Sequence, residues 1–167
     1  MLLCAFAALT ALGNPVPQGL TGQALLDDLS RKAVKYFWEQ SHVSTGFTLD
    51  RARNYNDPNY NPTVASIAAT GYALAAYAVG AERGWIPRAS ALSRTRRTVK
   101  QVMSKFAHKN GWFYHFADWS TGQRVWNCEL SSIDSAIFFN GLLMAERAFK
   151  DYSLTNLKNE CFDAIDW

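Results

Sequence analysis

Two carboxylates lie where a polar segment becomes an apolar one, in the stretch NCELSSIDSAIFFNGLLMAE at residues 127–146. Ser131 and Asp134 have the S-x-x-D spacing of a helix-capping box, in which the Asp134 carboxylate accepts the Ser131 backbone N–H. Glu129 precedes that cap and has no capping role. Two carboxylates in one cleft can also act as a general acid and a general base. The two interpretations of Asp134 are compatible, because a cap can fix a carboxylate that also faces a substrate.

The surroundings of the two acids predict different roles. A helix N-terminus favours the charged form of Asp134, which suits a base or a substrate-binding group. A general acid must stay protonated near neutral pH, and this requires an apolar setting. Glu129, close to Trp126 and Leu130 in the sequence, is therefore predicted to be the acid.

Aromatic side chains are concentrated in the loop before this helix. Flat rings stack against the C–H faces of a sugar, while the sugar hydroxyl groups need polar partners. The candidate substrate-binding residues of this loop are Trp112, Tyr114, His115, Trp119 and Trp126. Alternatively, the tryptophans pack as the floor of the fold, and His115 is a buried histidine in an aromatic cluster.

A second long loop, at residues 44–62, contains Asp50 and Arg51. These two residues either form a local ion pair that fixes the loop or bind substrate hydroxyl groups, and the sequence leaves both roles open. Each of the two loops leads into the N-terminal end of a strongly apolar helix. Both are therefore predicted to lie on one rim and to form a common pocket.

Hydrophobic periodicity predicts five helices and almost no strands. They span about residues 22–40, 62–79, 87–107 and 132–149, with a fifth beginning near residue 153. Thr21 is the predicted N-cap of the first helix, and Asn61 followed by Pro62 starts the second. The first, third and fifth helices have one apolar face, whereas the second and fourth are apolar on nearly every face.

This alternation predicts an all-α fold in which outer and inner helices form two layers. Bent into a ring, such helix hairpins give an (α/α)6 toroid, of which this chain would supply a little less than half. A solenoid of helix pairs would show the same alternation, but the pairs share no motif of fixed period. We therefore predict an incomplete (α/α)6 toroid over residues 22–167.

The charge and the N-terminal residues limit location and partners. A net charge of +3 is too small to indicate a nucleic-acid partner, and the basic run at residues 94–100 is interpreted as a solvated helix face rather than a phosphate site. Residues 1–13 are apolar but too short to span a bilayer, and predict an export signal, with a buried helix as the alternative. Residues 14–21 would be a linker. We expect a periplasmic or extracellular protein without stable membrane insertion.

Cysteine spacing gives little further information. Cys128 and Cys161 could pair in an oxidising compartment, but no C-x-x-C spacing indicates a zinc site. No metal ion or organic cofactor is predicted.

Four segments together resemble the glucoamylase-like domain of secreted bacterial proteins. They are NPTVASIAATGYALAAYAVGAERGWIPRASA, GWFYHF, TGQRVWNCELSSIDSAIFFNGLLMAERAF and DAIDW, and the resemblance covers about residues 22–167. That family includes endo-β-1,2-glucanases and a region of cyclic β-1,2-glucan synthases. The resemblance implies an (α/α)6 barrel and an inverting glycoside hydrolase that acts on glucans. The motif positions of the family fall on Asp50, Arg51, His115, Glu129 and Asp134.

The chain also departs from the family pattern. Ser135 lies where threonine is usual, and NYNDPNYNPTV is a longer insertion beside the expected cleft entrance. Family members continue past DW with a further acidic site residue, so the chain alone is expected to be inactive.

We predict glucan hydrolysis by carboxylate acid–base catalysis, with β-1,2-glucan as one candidate substrate. The alternatives are a non-catalytic glucan-binding or processing module of a larger glucan synthase, and a plain helical scaffold.

Overall fold

The computed structural model describes Gly19 and residues 21–52 and 62–166. The predicted export signal and most of the predicted linker lie outside these residues. Five α-helices lie within them: α1 (Gly22–Glu39), α2 (Ile67–Glu82), α3 (Arg88–Lys105), α4 (Ser132–Phe149) and α5 (Tyr152–Asp163). The same residues contain four short strands: β1 (Val64–Ser66), β2 (His108–Lys109), β3 (Trp112–Phe113) and β4 (Phe116–Asp118).

The two apolar helices, α2 and α4, pack directly against each other at a pair of glycines. A Cβ atom on Gly141 would lie 2.0 Å from the Gly71 carbonyl oxygen, and one on Gly71 would lie 2.5 Å from the Cα atom of Phe138. The backbones can therefore approach this closely only because both positions lack a side chain. The close crossing brings the N-terminal ends of two inner helices together.

The other three helices cover this pair. Helices α1 and α3 pack on α2, and α5 packs on α3 and α4. Leu74, Tyr77, Phe138 and Leu142 are fully buried between the layers. The predicted all-α fold with alternating outer and inner helices is confirmed.

The two inner helices are apolar on nearly every face, as predicted, but part of that apolar surface is exposed. On α2, Tyr72 is 55% exposed, and on α4, Ile133 and Met144 are 74% and 52% exposed. Composition could not separate a helix covered all round from one with an uncovered apolar side, because both lack charge. Tyr72 belongs to the cleft described below.

The start of α2 differs from the prediction. Pro62 lies outside the helix, which begins after Ser66, whose hydroxyl accepts the Ala69 N–H at 3.3 Å. Strand β1 occupies the preceding residues because it pairs antiparallel with β4, with Ala65 opposite Ala117. Pairing with a distant segment thus overrides the local Asn-Pro helix-start signal, and Asn61 itself lies outside the described residues.

The other helix ends agree closely with the predictions. Helix α4 begins after Ser131, as expected, and α1 begins after Thr21, although the Thr21 side chain makes no capping bond. The capping box at α4 is altered. The Ser131 hydroxyl, not its backbone N–H, donates to the Asp134 carboxylate, because the N–H donates to the Phe113 carbonyl at 3.0 Å.

Cys128 and Cys161, whose pairing the sequence left open, are both free and buried. Within the described part of the chain, no helix has the length and apolar character needed to cross a bilayer.

Candidate active site

His115 lies between the carboxylates of Glu129 and Asp134. Its Nδ1 atom is 2.7 Å from Glu129 Oε1, and its Nε2 atom is 3.7 Å from Asp134 Oδ2. An ionised carboxylate only accepts hydrogen bonds, so Nδ1 carries the proton in the bond to Glu129. The 3.7 Å separation is too long for a hydrogen bond and leaves Nε2 accessible to a third group.

The position of His115 is fixed by its backbone and by its ring. The His115 N–H donates to the Glu129 carbonyl at 3.1 Å, and the His115 carbonyl accepts from Ile67 N–H at 3.2 Å. The imidazole stacks on the Phe116 ring with centroids 3.6 Å apart and an interplanar angle of 16°. His115 is therefore tied to both inner helices through Ile67 and the segment before α4.

Asp134 is held in the first turn of α4. Its carboxylate accepts a hydrogen bond from the Ser131 hydroxyl, and its backbone N–H donates to the Ser131 Oγ atom at 3.2 Å. Ser135, one residue on, accepts the Phe113 N–H at 2.9 Å and donates to the Ser131 carbonyl at 2.7 Å. The capping role and a cleft-facing role of Asp134 thus coexist, since its side chain is still 15% exposed.

Glu129 does not have the apolar setting that the acid role required. Its side chain is 63% exposed, and the neighbouring Trp126 and Leu130 are 66% and 40% exposed. A hydrogen bond from its own backbone N–H, then the bond from His115 and the charges of His115 and Arg124, hold the pKa of Glu129 below its usual range. The carboxylate is thus ionised near neutral pH, which fits a base or a charged partner of His115 and not a general acid.

A cleft opens beside His115 and Asp134. Its volume is about 460 Å³. The aromatic and polar residues that line it are Tyr36, Phe37, Asp50, Ser66, Tyr72, His115 and Asp134. Residues from both long loops therefore meet at the N-terminal ends of α2 and α4, which confirms the predicted common rim.

Asp50 and Arg51 form the local ion pair that was one of their two predicted roles. The Arg51 Nη2 and Nε atoms lie 2.8 and 2.9 Å from Asp50 Oδ2. The Asp50 backbone N–H donates to the Val64 carbonyl at 3.0 Å, which anchors the loop on β1. Because Asp50 also lines the cleft, the ion pair leaves its hydroxyl-binding role open.

The four other predicted aromatic contacts have separate positions. Trp119 packs on His42 with ring centroids 5.0 Å apart, and the Trp112 indole N–H donates to the Asp166 carbonyl at 3.3 Å. Trp126 is largely exposed, and its ring centroid lies 5.3 Å from that of Phe116. The Tyr114 ring lies 4.3 Å below the Arg124 guanidinium. None of these four is among the residues that line the cleft.

The aromatic walls of the cleft come from residues that the sequence analysis did not select. Tyr36 and Phe37 lie on α1, and Tyr72 on α2, with the Phe37 and Tyr72 rings 6.4 Å apart. The Tyr36 hydroxyl donates to the Leu49 carbonyl at 3.0 Å. Helix α2 also contains Tyr77, which is fully buried, so the sequence alone does not separate the cleft tyrosine from the core one.

One group of donors could in principle approach a cation. The ligand atoms of His115, Glu129 and Asp134 lie within 4.8 Å of one another. However, the imidazole directs a different nitrogen to each carboxylate, whereas a metal ion would need one histidine nitrogen and both carboxylates to converge on one point. The His115 ring is hydrogen-bonded to Glu129 through Nδ1, and its Nε2 atom lies 3.7 Å from Asp134 Oδ2 without a hydrogen bond.

Known proteins share this architecture. No protein-family model matches the chain. The chain is 27% identical over 135 residues to an exo-β-1,2-glucooligosaccharide sophorohydrolase (non-reducing end) of Parabacteroides distasonis, a match that covers 78% of this chain and 18% of that protein.

Solved structures agree more closely in shape than in sequence. An endo-β-1,2-glucanase of Chitinophaga pinensis, solved with sophorotriose and glucose, gives a TM-score of 0.74 at 20% identity over 87% of this chain and 36% of that chain. A glucoamylase-like protein of Bacteroides uniformis gives 0.74 at 21% identity over 89% and 36%. The chain has the glucoamylase-like fold. It spans about a third of those two structures and 21% of a β-1,2-glucanase from Parabacteroides distasonis, which gives a TM-score of 0.68 at 21% identity over 87% of this chain.

Proposed function

We propose that this chain forms one wall of the active site of a glycoside hydrolase that acts on a glucan, with β-1,2-glucan as the first candidate substrate. The observation that carries the proposal is the placement of His115 and Asp134 in the cleft that Tyr36 and Tyr72 line. Aromatic faces beside a carboxylate are what a sugar ring and its hydroxyl groups need. The β-1,2-glucan-cleaving proteins that share the fold support the choice of substrate.

Glu129 and Asp134 do not form an inverting acid–base pair with each other. Their facing oxygens lie within 4.8 Å. Inverting hydrolysis needs two carboxyl groups about 6.5–9.5 Å apart, with the attacking water between one of them and the anomeric carbon. The imidazole of His115 also occupies the space between them. One member of the catalytic pair would therefore come from another part of the protein.

Asp134 is the carboxylate that we propose to face the substrate. As a base it would take a proton from water while the water oxygen attacks the anomeric carbon and the glycosidic oxygen leaves with a proton from the acid. Glu129 would act through His115, by accepting a hydrogen bond from Nδ1–H and thereby directing Nε2 toward the cleft. Asp50, Arg51 and Tyr72 would bind sugar hydroxyl groups or stack on a ring.

The test is the release of reducing ends from β-1,2-glucan by the gene product that carries this chain. We expect Asp134→Asn to lower kcat by about 10²–10⁴-fold, the usual contribution of a positioned proton-transfer group. Glu129→Gln should lower kcat by about 10- to 100-fold, because Glu129 acts by positioning His115. Asp163→Asn, on the exposed surface of α5, is the matched control and should retain full activity. Equal turnover in all three variants would contradict the site assignment.

The turnover assay, together with calorimetry of glucan binding, separates the hydrolase from the two rival functions. Glucan binding in calorimetry without any turnover by the wild-type protein would show a binding or processing module of a larger synthase. The absence of glucan binding would leave a helical scaffold, and either result would refute the hydrolase.

We also infer that the protein is exported, and that residues 1–13 are its signal. The support is their apolar run followed by Asn14 and Pro15, with small residues at Ala11 and Gly13. Mass spectrometry of the protein recovered from bacterial cells should show a mature N-terminus close to Asn14. An intact N-terminus would contradict export by this route.

A further inference from the structure

The backbone just before Glu129 has a conformation that two ordinary residues rarely adopt. Trp126 and Asn127 both have positive φ angles, +57° and +49°. Single residues other than glycine enter this left-handed region at a steric cost, and two in succession require the surrounding structure to hold them. A neighbouring group must therefore hold the turn at Trp126 and Asn127 in this conformation.

Arg124 is that group. Its Nη2 atom donates to the Asn127 carbonyl at 2.7 Å and also to the Cys128 carbonyl. Its guanidinium carbon lies 4.3 Å from the centre of the Tyr114 ring. The Arg124 backbone pairs with Ala117 of β4. The Arg124 side chain therefore joins the left-handed turn to Tyr114, the residue before His115, while its backbone joins β4.

The turn ends directly at the Glu129–His115 pair. The Cys128 Sγ atom accepts the Phe116 N–H at 3.2 Å, and the Leu130 backbone pairs with Tyr114, so the residues on both sides of Glu129 are held in place. The carbonyl of Glu129 itself receives the His115 N–H. The remaining freedom of Glu129 lies in the turn before it, which Arg124 closes.

We infer that Arg124 is a positioning residue for the proposed reaction, which holds the turn at Trp126 and Asn127 so that the Glu129 carboxylate meets His115 Nδ1. This inference rests on the proposed function of Glu129 and His115. Arg124 touches carbonyl groups and a ring and does not line the cleft, so it acts on the substrate through Glu129 only.

Two properties of the side chain can be separated by substitution. Arg124→Gln removes the positive charge, whereas Arg124→Lys keeps the charge but loses the planar group that lies over Tyr114 and bonds to two carbonyls. The charge of Arg124 also helps to hold the pKa of Glu129 low, so its removal should raise that pKa. Arg96→Gln is the matched control, since Arg96 forms a similar structural clamp on Asp151.

The experiment measures kcat, KM and the pH profile for glucan hydrolysis by the full gene product. We expect both Arg124 variants to lower kcat by about 10- to 100-fold with little change in KM, because a small displacement of a catalytic group has an effect of this size. In Arg124→Gln the acid limb of the profile should also move to higher pH, and in Arg124→Lys it should stay near the wild-type position. Arg96→Gln should lower stability without moving the limb.

A second measurement keeps this inference independent of the hydrolase assignment. Carbon-13 NMR of the Glu129 carboxyl and nitrogen-15 NMR of the His115 ring in this chain report the pair directly, even if no glucan is cleaved. Loss of the Nδ1–Glu129 bond in Arg124→Gln supports the positioning role. Unchanged ring and carboxyl signals, or an Arg124→Gln variant that matches Arg96→Gln in kcat and pH profile, would overturn it.

Discussion

His115 gives the two carboxylates different chemistry although their oxygens lie within 4.8 Å. Glu129 is bonded to Nδ1 and exposed to water, whereas Asp134 is held by Ser131 and borders the cleft. Solvent screens the charge of Glu129, so its low pKa reflects local hydrogen bonds and not burial. At the scale of single residues, the proposed site is therefore a cleft carboxylate with an exposed partner behind it.

This arrangement predicts the titration of Glu129. In His115→Phe the hydrogen bond and the positive charge that favour the ionised form are lost, so the pKa of Glu129 should rise toward the usual value for glutamate. Carbon-13 NMR titration of the carboxyl group in this chain measures it. His108→Phe removes an exposed histidine from β2 and serves as the control. A Glu129 curve that is the same in wild type and His115→Phe would contradict the geometry.

At the scale of elements, the closeness of α2 and α4 brings the two loops to one rim. Gly71 and Gly141 allow the backbones to touch, and the apolar run of each helix supplies the packing on either side of them. The tightness of this contact predicts a specific sensitivity. Gly141→Ala should lower the free energy of unfolding by about 1–3 kcal/mol, the range for overpacked cores, despite the better helix propensity of alanine.

Urea unfolding of this chain measures the change, and Gly80→Ala is a matched control in α2. A Cβ atom on Gly80 would meet the Ile86 Cδ1 atom at 2.7 Å and the Val34 Cγ1 atom at 3.0 Å, and both are side-chain atoms that can move. Gly80→Ala should lower the free energy of unfolding much less than Gly141→Ala, because no backbone has to shift. If the two alanine variants have equal stability, the helices do not depend on the glycine contact.

The helices could be predicted from the sequence, but the short paired strands between them could not. The start of α4 follows from the Ser131 capping signal and an apolar period, which are local properties. The pairing of β1 with β4 joins residues at least 50 positions apart, and three-residue strands carry too few side chains to show an alternating pattern. For the same reason the start of α2 was placed too early.

The site was partly predictable for a similar physical reason. His115, Glu129 and Asp134, which the structure brings together, were selected because titratable residues stand out beside aromatic and apolar segments. Tyr36 and Tyr72 were missed because helical periodicity assigns a tyrosine to the core as readily as to a cleft. Conversely, the sequence does not separate a tryptophan that contacts a ligand from one that packs, as Trp119 does against His42.

At the scale of the whole molecule, acid is the condition that should weaken this chain. Asp118, Glu129 and Asp151 all have pKa values below their usual range. A carboxyl group whose pKa is lower in the folded state contributes stability above its unfolded value, about 4, and loses it as the pH falls below that value. The shifts have one sign, so their effects on stability add in the same direction.

Asp151 offers the clearest test because it joins three helices. It is the N-cap of α5, accepting the Leu154 N–H at 3.0 Å, follows α4 closely, and binds Arg96 of α3 through two nitrogens. The hydrogen bond from Arg96 is the largest cause of its low pKa. Asp151→Asn keeps the cap, since asparagine caps as well as aspartate, but loses the charge.

We therefore expect Asp151→Asn to lower the free energy of unfolding by about 0.5–1 kcal/mol at pH 7, the upper range for a partly exposed ion pair. At pH 3 the difference from wild type should shrink, because the unfolded wild-type chain then binds a proton at this carboxyl group and the stabilisation from its lowered folded-state pKa is being lost. Urea unfolding at the two pH values measures this, with Asp163→Asn on the exposed side of α5 as the control. A deficit of equal size at pH 7 and pH 3 would mean that the asparagine disturbs packing or the cap, and that the Arg96 ion pair contributes no acid-sensitive stability.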